Sequence, residues 1–349
     1  MPFISYFDLL GTKGFCENSE TYYKNISAFY FSIKSLSRCL GQQGKVGVFS
    51  DCAYAESNDL EYLLDFLVEL RDRLNSEGLF FNAYVKYGKL GIEDVWATKE
   101  NGEKRKNLFG VVLKSSSIAE LYISQSNFKG VGICIDDDKR IIEKLKTLNK
   151  YKLSDCIYIS KKKFDDGTEK YVPIGYMDIA YREPIYGDKD IEDGLGIFYK
   201  TFYSAYIKSP KYGSYYISAL TNYIRSYQNG FDWDIENGEF NKAPIVFKSV
   251  CKMISDYYEE VKNLPGIDYL VFILLDTIYN SKDLNIEEKK SITIKFAQYP
   301  SIKNKFINTL EDIPKELFTK TETANNREMF IRFCQNDFSK SFAQKLLSD

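Results

Sequence analysis

The stretch "ISYFDLLGTKGF" (residues 4–15) joins an apolar, strand-like run to a glycine-bearing turn, with one carboxylate, Asp8, inside the apolar part. A carboxylate among groups that favour burial costs free energy unless it is paired, hydrogen-bonded or bound to a metal. The turn after it has its own chemistry. Gly11 and Gly14 allow close backbone approach, the N–H groups around them can point at phosphate, and Lys13 adds a positive charge. Further on, "KVGVFSDCAYAES" (45–57) reads as two short strands hinged at Ser50-Asp51. If the first strand lies beside that hairpin, Asp8 and Asp51 face one point. Two converging carboxylates suit a hard divalent cation, Mg²⁺ or Mn²⁺, held through oxygen. Such ions serve nucleoside triphosphates in phosphoryl and nucleotidyl transfer.

Composition narrows the chemistry. The chain has 349 residues, 44% of them hydrophobic, which suffices for one large domain or two ordinary ones. Lys+Arg at 47 nearly balances Asp+Glu at 49, so net charge gives no general argument for nucleic acid or an anionic membrane. His 0 excludes Ser-His-Asp and Cys-His catalysis, histidine phosphotransfer and every His-ligated metal. The seven cysteines form no CxxC and are widely spaced, which suggests neither a disulfide framework nor a zinc site. The N-terminal "MPFISYFD" has no basic, apolar leader pattern, and the longest apolar run, "YLVFILL" (269–275), is too short to span a bilayer. A soluble cytoplasmic protein with no membrane partner is the expectation.

Periodicity outlines the elements. Residues 3–10 read as a buried strand and 20–40 as a helix. The segment "DLEYLLDFLVELRDRLNSEG" (59–78) is an amphipathic helix, capped by Asn58 or Asp59 and stopped at Gly78. Residues 79–91 read as a strand pair or bulged strand, 98–107 as a polar loop and 112–126 as a helix. A strand at 130–136 is followed by the helix "DDKRIIEKLKTLNKY", then by strand-like pieces at "DCIYIS" and 169–187. "SKKKFDDG" (160–167) reads as a solvated turn. Around "GDKDIEDGLG" the composition shifts, and helical patterns dominate to the end. The expected organisation is an α+β domain over 1–187 and an all-α domain over 188–349.

The run Phe7-Asp8-Leu9-Leu10-Gly11-Thr12-Lys13-Gly14-Phe15, followed by "VFSDCAYA", resembles the catalytic core of class III nucleotidyl cyclases. GGDEF diguanylate cyclases and the polymerase palm of type III CRISPR effectors share that palm. In the family one Asp ends the first strand and a second sits in a hairpin as G-D; here the second is Ser50-Asp51, at a spacing within the family's range. Weaker likeness continues in "NAYVKYG" (82–88) and "GVVLKSSSIAE" (110–120). The resemblance covers about residues 3–135, and the C-terminal half matches nothing. It implies a ferredoxin-like palm with a mainly antiparallel sheet. It implies that Asp8 and Asp51 ligate two Mg²⁺ or Mn²⁺ ions, with the Leu9 carbonyl completing one site. It also implies that Leu10, Gly11, Thr12, Lys13, Gly14 and Phe15, with Ser50, hold the phosphates of an NTP, and that palms pair as a homodimer.

The departures are specific. Where the family places an Asn and an Arg on a helix, this chain has Ser115 to Ser117 and Ala119, and the strand Arg is replaced by Asn82. Cys52 follows Asp51, so the second acid of a GGDEF signature is missing. Three functions stay open at this point. One is a divergent cyclase or nucleotidyltransferase making a cyclic nucleotide or short oligonucleotide signal, in bacterial signalling or antiphage defence. Another is a nucleotide-binding sensor without turnover. The last is an interaction scaffold with a vestigial palm, whose helical domain binds a protein partner. Taken singly, Asp8 also suits a cap on the following turn, Ser50-Asp51 an ordinary hairpin, Lys13 a solvated loop lysine and Cys52 a small buried side chain.

Overall fold

A computed structural model describes residues 2–12, 18–42, 44–98, 104–113, 115–148, 150–151, 153–163 and 165–180. It also describes Tyr215, Ser218, Ala219, Asn222 and 285–288. These residues fall into two units, one within Met1–Phe128 and Gly132–Lys150, the other within Lys129–Val131 and Tyr151–Asp349.

The first unit begins with strand β1 (Phe3–Leu9), helix α1 (Ser19–Leu36) and a 3₁₀ turn (Ser37–Leu40). The hairpin strands β2 (Lys45–Phe49) and β3 (Cys52–Ser57) follow, then helix α2 (Leu60–Ser76) and strand β4 (Phe81–Tyr87). In the sheet these strands run β2-β3-β1-β4. That β-α-β-β-α-β order is the ferredoxin-like split βαβ arrangement. Strand β7 (Gly132–Ile135) joins β4 in parallel, and the other pairs are antiparallel, so the mainly antiparallel expectation holds. β5 (Ile92–Thr98) and β6 (Lys104–Leu113) form a separate hairpin. Helix α3 (Ser116–Asn127) leads into β7, and α4 (Lys139–Thr147) follows it.

Alternation along β1 sorts its side chains between two faces. Phe7 faces the α1/α2 layer, with ring centroids 6.2 Å from Phe29 on α1, 5.9 Å from Phe66 on α2 and 6.0 Å from Phe81 on β4. Ile4 and Tyr6 face the other way and form a buried cluster with Leu90 and with Leu121 of α3. Gly88 lets α3 come this close: a Cβ there would sit 3.0 Å from both the Ile4 and Ser117 side chains. The glycine thus serves a close helix approach, not a bulge.

α2 shows how local sequence sets these boundaries. Asp59 accepts from the Glu61 N–H at 3.0 Å as N-cap. At the other end Gly78 takes φ 72°, the Gly78 N–H reaches the Asn75 carbonyl at 3.0 Å, and the Leu79 N–H reaches Leu74 at 2.8 Å. This is a Schellman stop, which requires the left-handed backbone that glycine adopts without penalty.

Three readings need correction. Residues 79–91 hold one strand, Phe81–Tyr87, not a pair. The polar 98–107 stretch is not all loop, because β6 starts at Lys104, and that strand delays α3 to Ser116. In the second unit β8 (Leu153–Lys163) runs through the lysines of "SKKKFDDG" before turning at Gly167 into β9 (Glu169–Ile179). Ladder pairing with the opposite strand carries the charged ends of both hairpins into strand.

Within the second unit Tyr176 Oη donates to the Val131 carbonyl at 3.2 Å, and the Ser218 hydroxyl oxygen accepts from the Val131 N–H at 2.6 Å. The expected boundary at 187/188 and the helical domain 188–349 lie outside the described residues. The exceptions, Tyr215, Ser218, Ala219, Asn222 and 286–288, are helical. Among the described residues no helix is long and apolar enough to cross a membrane.

Candidate metal and nucleotide site

Strand register brings the two carboxylates together. Asp8 is the partner of Cys52 on β3 and of Asn82 on β4. The next step along β1 meets the hairpin turn itself: the Leu9 N–H donates to the Asp51 carbonyl at 2.8 Å. Leu10 continues the clamp on the other side, its N–H donating to the Phe80 carbonyl at 2.8 Å. The chain then turns through Gly11 at φ 83° to Thr12, whose hydroxyl donates to Asp51 Oδ2 at 2.6 Å.

The hairpin turn is shaped unusually. Ser50 takes φ 54°, and no other non-glycine residue among those described has a positive φ. Two-residue hairpin loops favour glycine at such a position. A serine held there costs on the order of 1 kcal/mol and marks a place where the surrounding structure dictates the backbone. The Phe49 carbonyl accepts from Cys52 Sγ at 3.1 Å across the turn.

Electrostatics reports the convergence. Burial, and next the charge of Asp51, push the Asp8 carboxyl up to about 7 from 3.8. Two carboxylates close enough to oppose each other's ionisation are a standing demand for a cation or a proton. Burial also raises the Cys52 thiol, partly opposed by a hydrogen bond with Tyr6 and reinforced by Asp8 and Asp51. Cys52 is therefore a protonated lining residue and not a thiolate. Burial raises Tyr6 as well, helped by its hydrogen bond with Cys52 and the charge of Asp8.

The donor set fits a hard divalent cation. It offers two carboxylates and backbone carbonyls, all oxygen, beside a turn with exposed backbone. Among the described residues no group of three or more His, Cys, Asp or Glu side chains is placed to hold a metal. Mg²⁺ does not need one, since it keeps several waters and takes one or two carboxylates plus substrate phosphates.

Of the residues expected to hold phosphate, Leu10, Gly11 and Thr12 lie together beside Asp51, and Ser50 is the exposed corner of the hairpin. Lys13, Gly14 and Phe15 lie outside the described residues. The departures find structural explanations. Ser115 is the N-cap of α3, accepting from the Ser117 N–H at 3.2 Å, and Ser116 and Ala119 are exposed. Asn82, only 3% exposed, accepts from Gln125 Nε2 at 2.8 Å, and Gln125 on α3 is 6% exposed.

That amide pair beside Asp8 was missed by sequence reasoning. Its one signal is the spacing of Leu121 and Gln125, which puts a polar residue on the buried stripe of α3. The Thr12 hydroxyl bond to Asp51 has no local signal either, because the two residues lie 39 apart in sequence. A second polar pair lies farther along β4, where Tyr84 Oη donates to Asp136 Oδ1 at 2.8 Å.

No protein-family model and no curated protein matches the chain. Among solved structures the chain is similar to the catalytic core of a rhodopsin-guanylyl cyclase with converted specificity in complex with ATPαS. The TM-score is 0.34 at 10% identity, over 52% of this chain and 95% of that one. It is similar to the guanylate cyclase domain of RhGC from Catenaria anguillulae in complex with GTP, with TM-score 0.32 and 8% identity over 52% and 97% of the two chains. It is also similar to a bacterial light-regulated adenylyl cyclase, with TM-score 0.34 and 11% identity over 56% and 54%.

Proposed function

We propose that Asp8 and Asp51 form the centre of a divergent, metal-dependent nucleotidyl cyclase or nucleotidyltransferase. It takes a nucleoside triphosphate and makes a cyclic nucleotide or a short oligonucleotide signal. The observation that carries this reading is that strand register places Asp51 beside the buried Asp8, whose carboxyl is lifted to about 7 by burial first and the charge of Asp51 second, with Thr12 hydrogen-bonded to Asp51. Two Mg²⁺ or Mn²⁺ ions, when bound, supply charge that stabilises the attacking and leaving oxygens. The chain's own residues do the rest. Asp8 and Asp51 present the oxygen donors, with the Leu9 carbonyl beside them. The backbone from Leu10 to Phe15, with Lys13 and Ser50, receives the phosphates. The buried Asn82–Gln125 pair and Tyr6 keep the wall next to Asp8 ordered.

The motif resemblance supports the wider setting of a palm over 1–187 that pairs with a second copy and a cytoplasmic role in bacterial signalling or antiphage defence, while the helical periodicity of 188–349 motivates a second domain that binds a protein partner. The test is incubation with each NTP and Mn²⁺, followed by chromatography of the products. A new phosphodiester product that disappears in Asp8→Ala and in Asp51→Ala is expected. Absence of any product, or a product indifferent to both changes, sinks the enzymatic reading.

A second reading has its own support. Ser115 to Ser117 serve the start of α3, and Asn82 is committed to Gln125, so no side chain at those positions takes over the family's Asn and Arg. That favours a module that binds a nucleotide without turning it over. Thermal stabilisation by a nucleotide, with no product formed, distinguishes it.

A further inference from the structure

An amide side chain carries a carbonyl and an NH2 group, and in Asn82 the two ends have different fates. Gln125 Nε2 of α3 donates to Asn82 Oδ1 at 2.8 Å, and the two residues are only 6% and 3% exposed. Asn82 Nδ2 has no acceptor among the described residues, and it is not enclosed. A donor held this deep costs free energy unless an acceptor reaches it. Strand register shows where that acceptor would stand. Asn82 is the partner of Asp8 on β1 and of Gly132 on β7. Directly opposed residues share a face of the sheet, so Asn82 and Asp8 lie side by side. Gly132 brings no side chain to the other flank. With its carbonyl anchored to Gln125, the Asn82 NH2 is turned away from that partner.

We propose that Asn82 contacts the ligand, its NH2 group donating to an anionic oxygen of the phosphate carried by a cation at Asp8 and Asp51. The inference rests on the metal and nucleotide reading of the site and deepens it by naming a donor to the ligand. A cation held by one or two carboxylates is completed by water and by substrate phosphate. Cation-bound water presents its hydrogens outward, whereas phosphate presents acceptor oxygens, so phosphate is the match for an amide donor. The amide is neutral, so it neither opposes the cation nor replaces an arginine. A fixed dipole in a poorly solvated place is worth more to an anion than the same group in water. Gln125 acts through Asn82 and is a positioning residue: it holds the carbonyl end so that the donor end keeps its direction. The contact serves binding, with or without turnover.

The experiment compares two titrations of the full chain. One uses Mn²⁺ alone, read as free Mn²⁺ by electron paramagnetic resonance. The other uses preformed Mn²⁺–tripolyphosphate, read by calorimetry. Wild type is compared with Asn82→Leu, Asn82→Asp, Gln125→Leu and Asp8→Asn. A hydrogen bond to a charged group sets the scale, so Asn82→Leu is expected to bind the complex roughly tenfold or more weakly, with Mn²⁺ affinity little changed. Asn82→Asp keeps an oxygen for Gln125 and turns the donor into an anionic acceptor. It should bind the complex more weakly still, while Mn²⁺ alone binds as tightly as in wild type or more so. Damage to the fold would weaken both titrations together and cannot produce that divergence. Gln125→Leu leaves Asn82 in place but unanchored, and should weaken the complex by less than Asn82→Leu. That variant keeps the test decisive where changes at Asn82 prevent folding, since unchanged binding of the complex in Gln125→Leu then counts against the donor. If Asn82→Leu and Asn82→Asp bind the complex as wild type does, or lose Mn²⁺ and complex in equal measure, while Asp8→Asn abolishes Mn²⁺ binding, the donor is overturned and the carboxylate site stands. If wild type binds no Mn²⁺, or Asp8→Asn binds it unchanged, the metal reading falls and the donor falls with it.

Discussion

The two faces of β1 are built from neighbouring residues of one seven-residue strand, yet they follow opposite rules. Phe7 points into a dry layer of phenylalanine rings from α1, α2 and β4. Tyr6 and Asp8 point to a face with Tyr54 and Tyr84 at the cluster edge and with Cys52 and Asn82 flanking Asp8. Both faces are substantially buried, but β1 brings only the buried Ser5 as a polar side chain to the first, whereas the second gathers Tyr6 and Asp8 with Cys52 and Asn82 beside them. The lesson is a division of labour: one face fixes the strand, and the other uses that fixed strand to hold charge.

The comparison predicts unequal losses. Phe7→Ala removes a ring from the dry face and leaves a cavity, which should cost about 3–5 kcal/mol in a urea melt. A cost below about 1 kcal/mol would erase the distinction between the faces.

The Asp8 effect is pH-dependent. Its folded pKa, about 7, lies above the 3.8 of an unperturbed carboxyl, so between those values the folded chain binds the extra proton. Stability therefore falls as pH rises across that window, on the order of 2 kcal/mol after allowance for solvent access. Asp8→Asn should flatten the melting temperature from pH 4 to pH 7, and Mn²⁺ should offset the fall in wild type. A wild-type profile as flat as that of Asp8→Asn contradicts the carboxylate pair.

Asn82→Leu strands the Gln125 amide in a buried position and should cost about 1–3 kcal/mol. The double change with Gln125→Leu should recover part of that loss, and a strictly additive double mutant would show that the pair is not coupled. Smallest of all, Ser50→Gly relieves the φ of 54° and should gain up to about 1 kcal/mol, while the hairpin becomes freer to misplace Asp51. Tighter Mn²⁺ binding in that variant would argue that the serine backbone opposes the site.

Much of the first unit was readable because its signals are local. Asp59 and Gly78 bracket α2 by cap chemistry, and the Leu/Phe spacing between them gives its buried stripe. Asp8 and Ser50-Asp51 stand out because polar residues interrupt apolar strands. The β5–β6 hairpin was less legible. Lys104 to Lys106 have the composition of a solvated loop, and only pairing with β5, from Thr98 opposite Lys104, makes them a strand. The Asn82–Gln125 bond joins residues far apart in sequence, and nothing local in either one announces the other. The Thr12 contact likewise depends on where a hairpin distant in sequence comes to rest.

The stop at Gly78 reaches further than the helix it ends. By reversing the chain at that point it delivers the Phe80 carbonyl to the Leu10 N–H, the outer anchor of the turn beside Asp51. The handedness of one glycine thus sets where the Gly11–Thr12 turn lies beside Asp51. A random screen for weakened Mn²⁺ binding should return substitutions at Gly78, a residue with no donor atom to offer a cation except its own backbone.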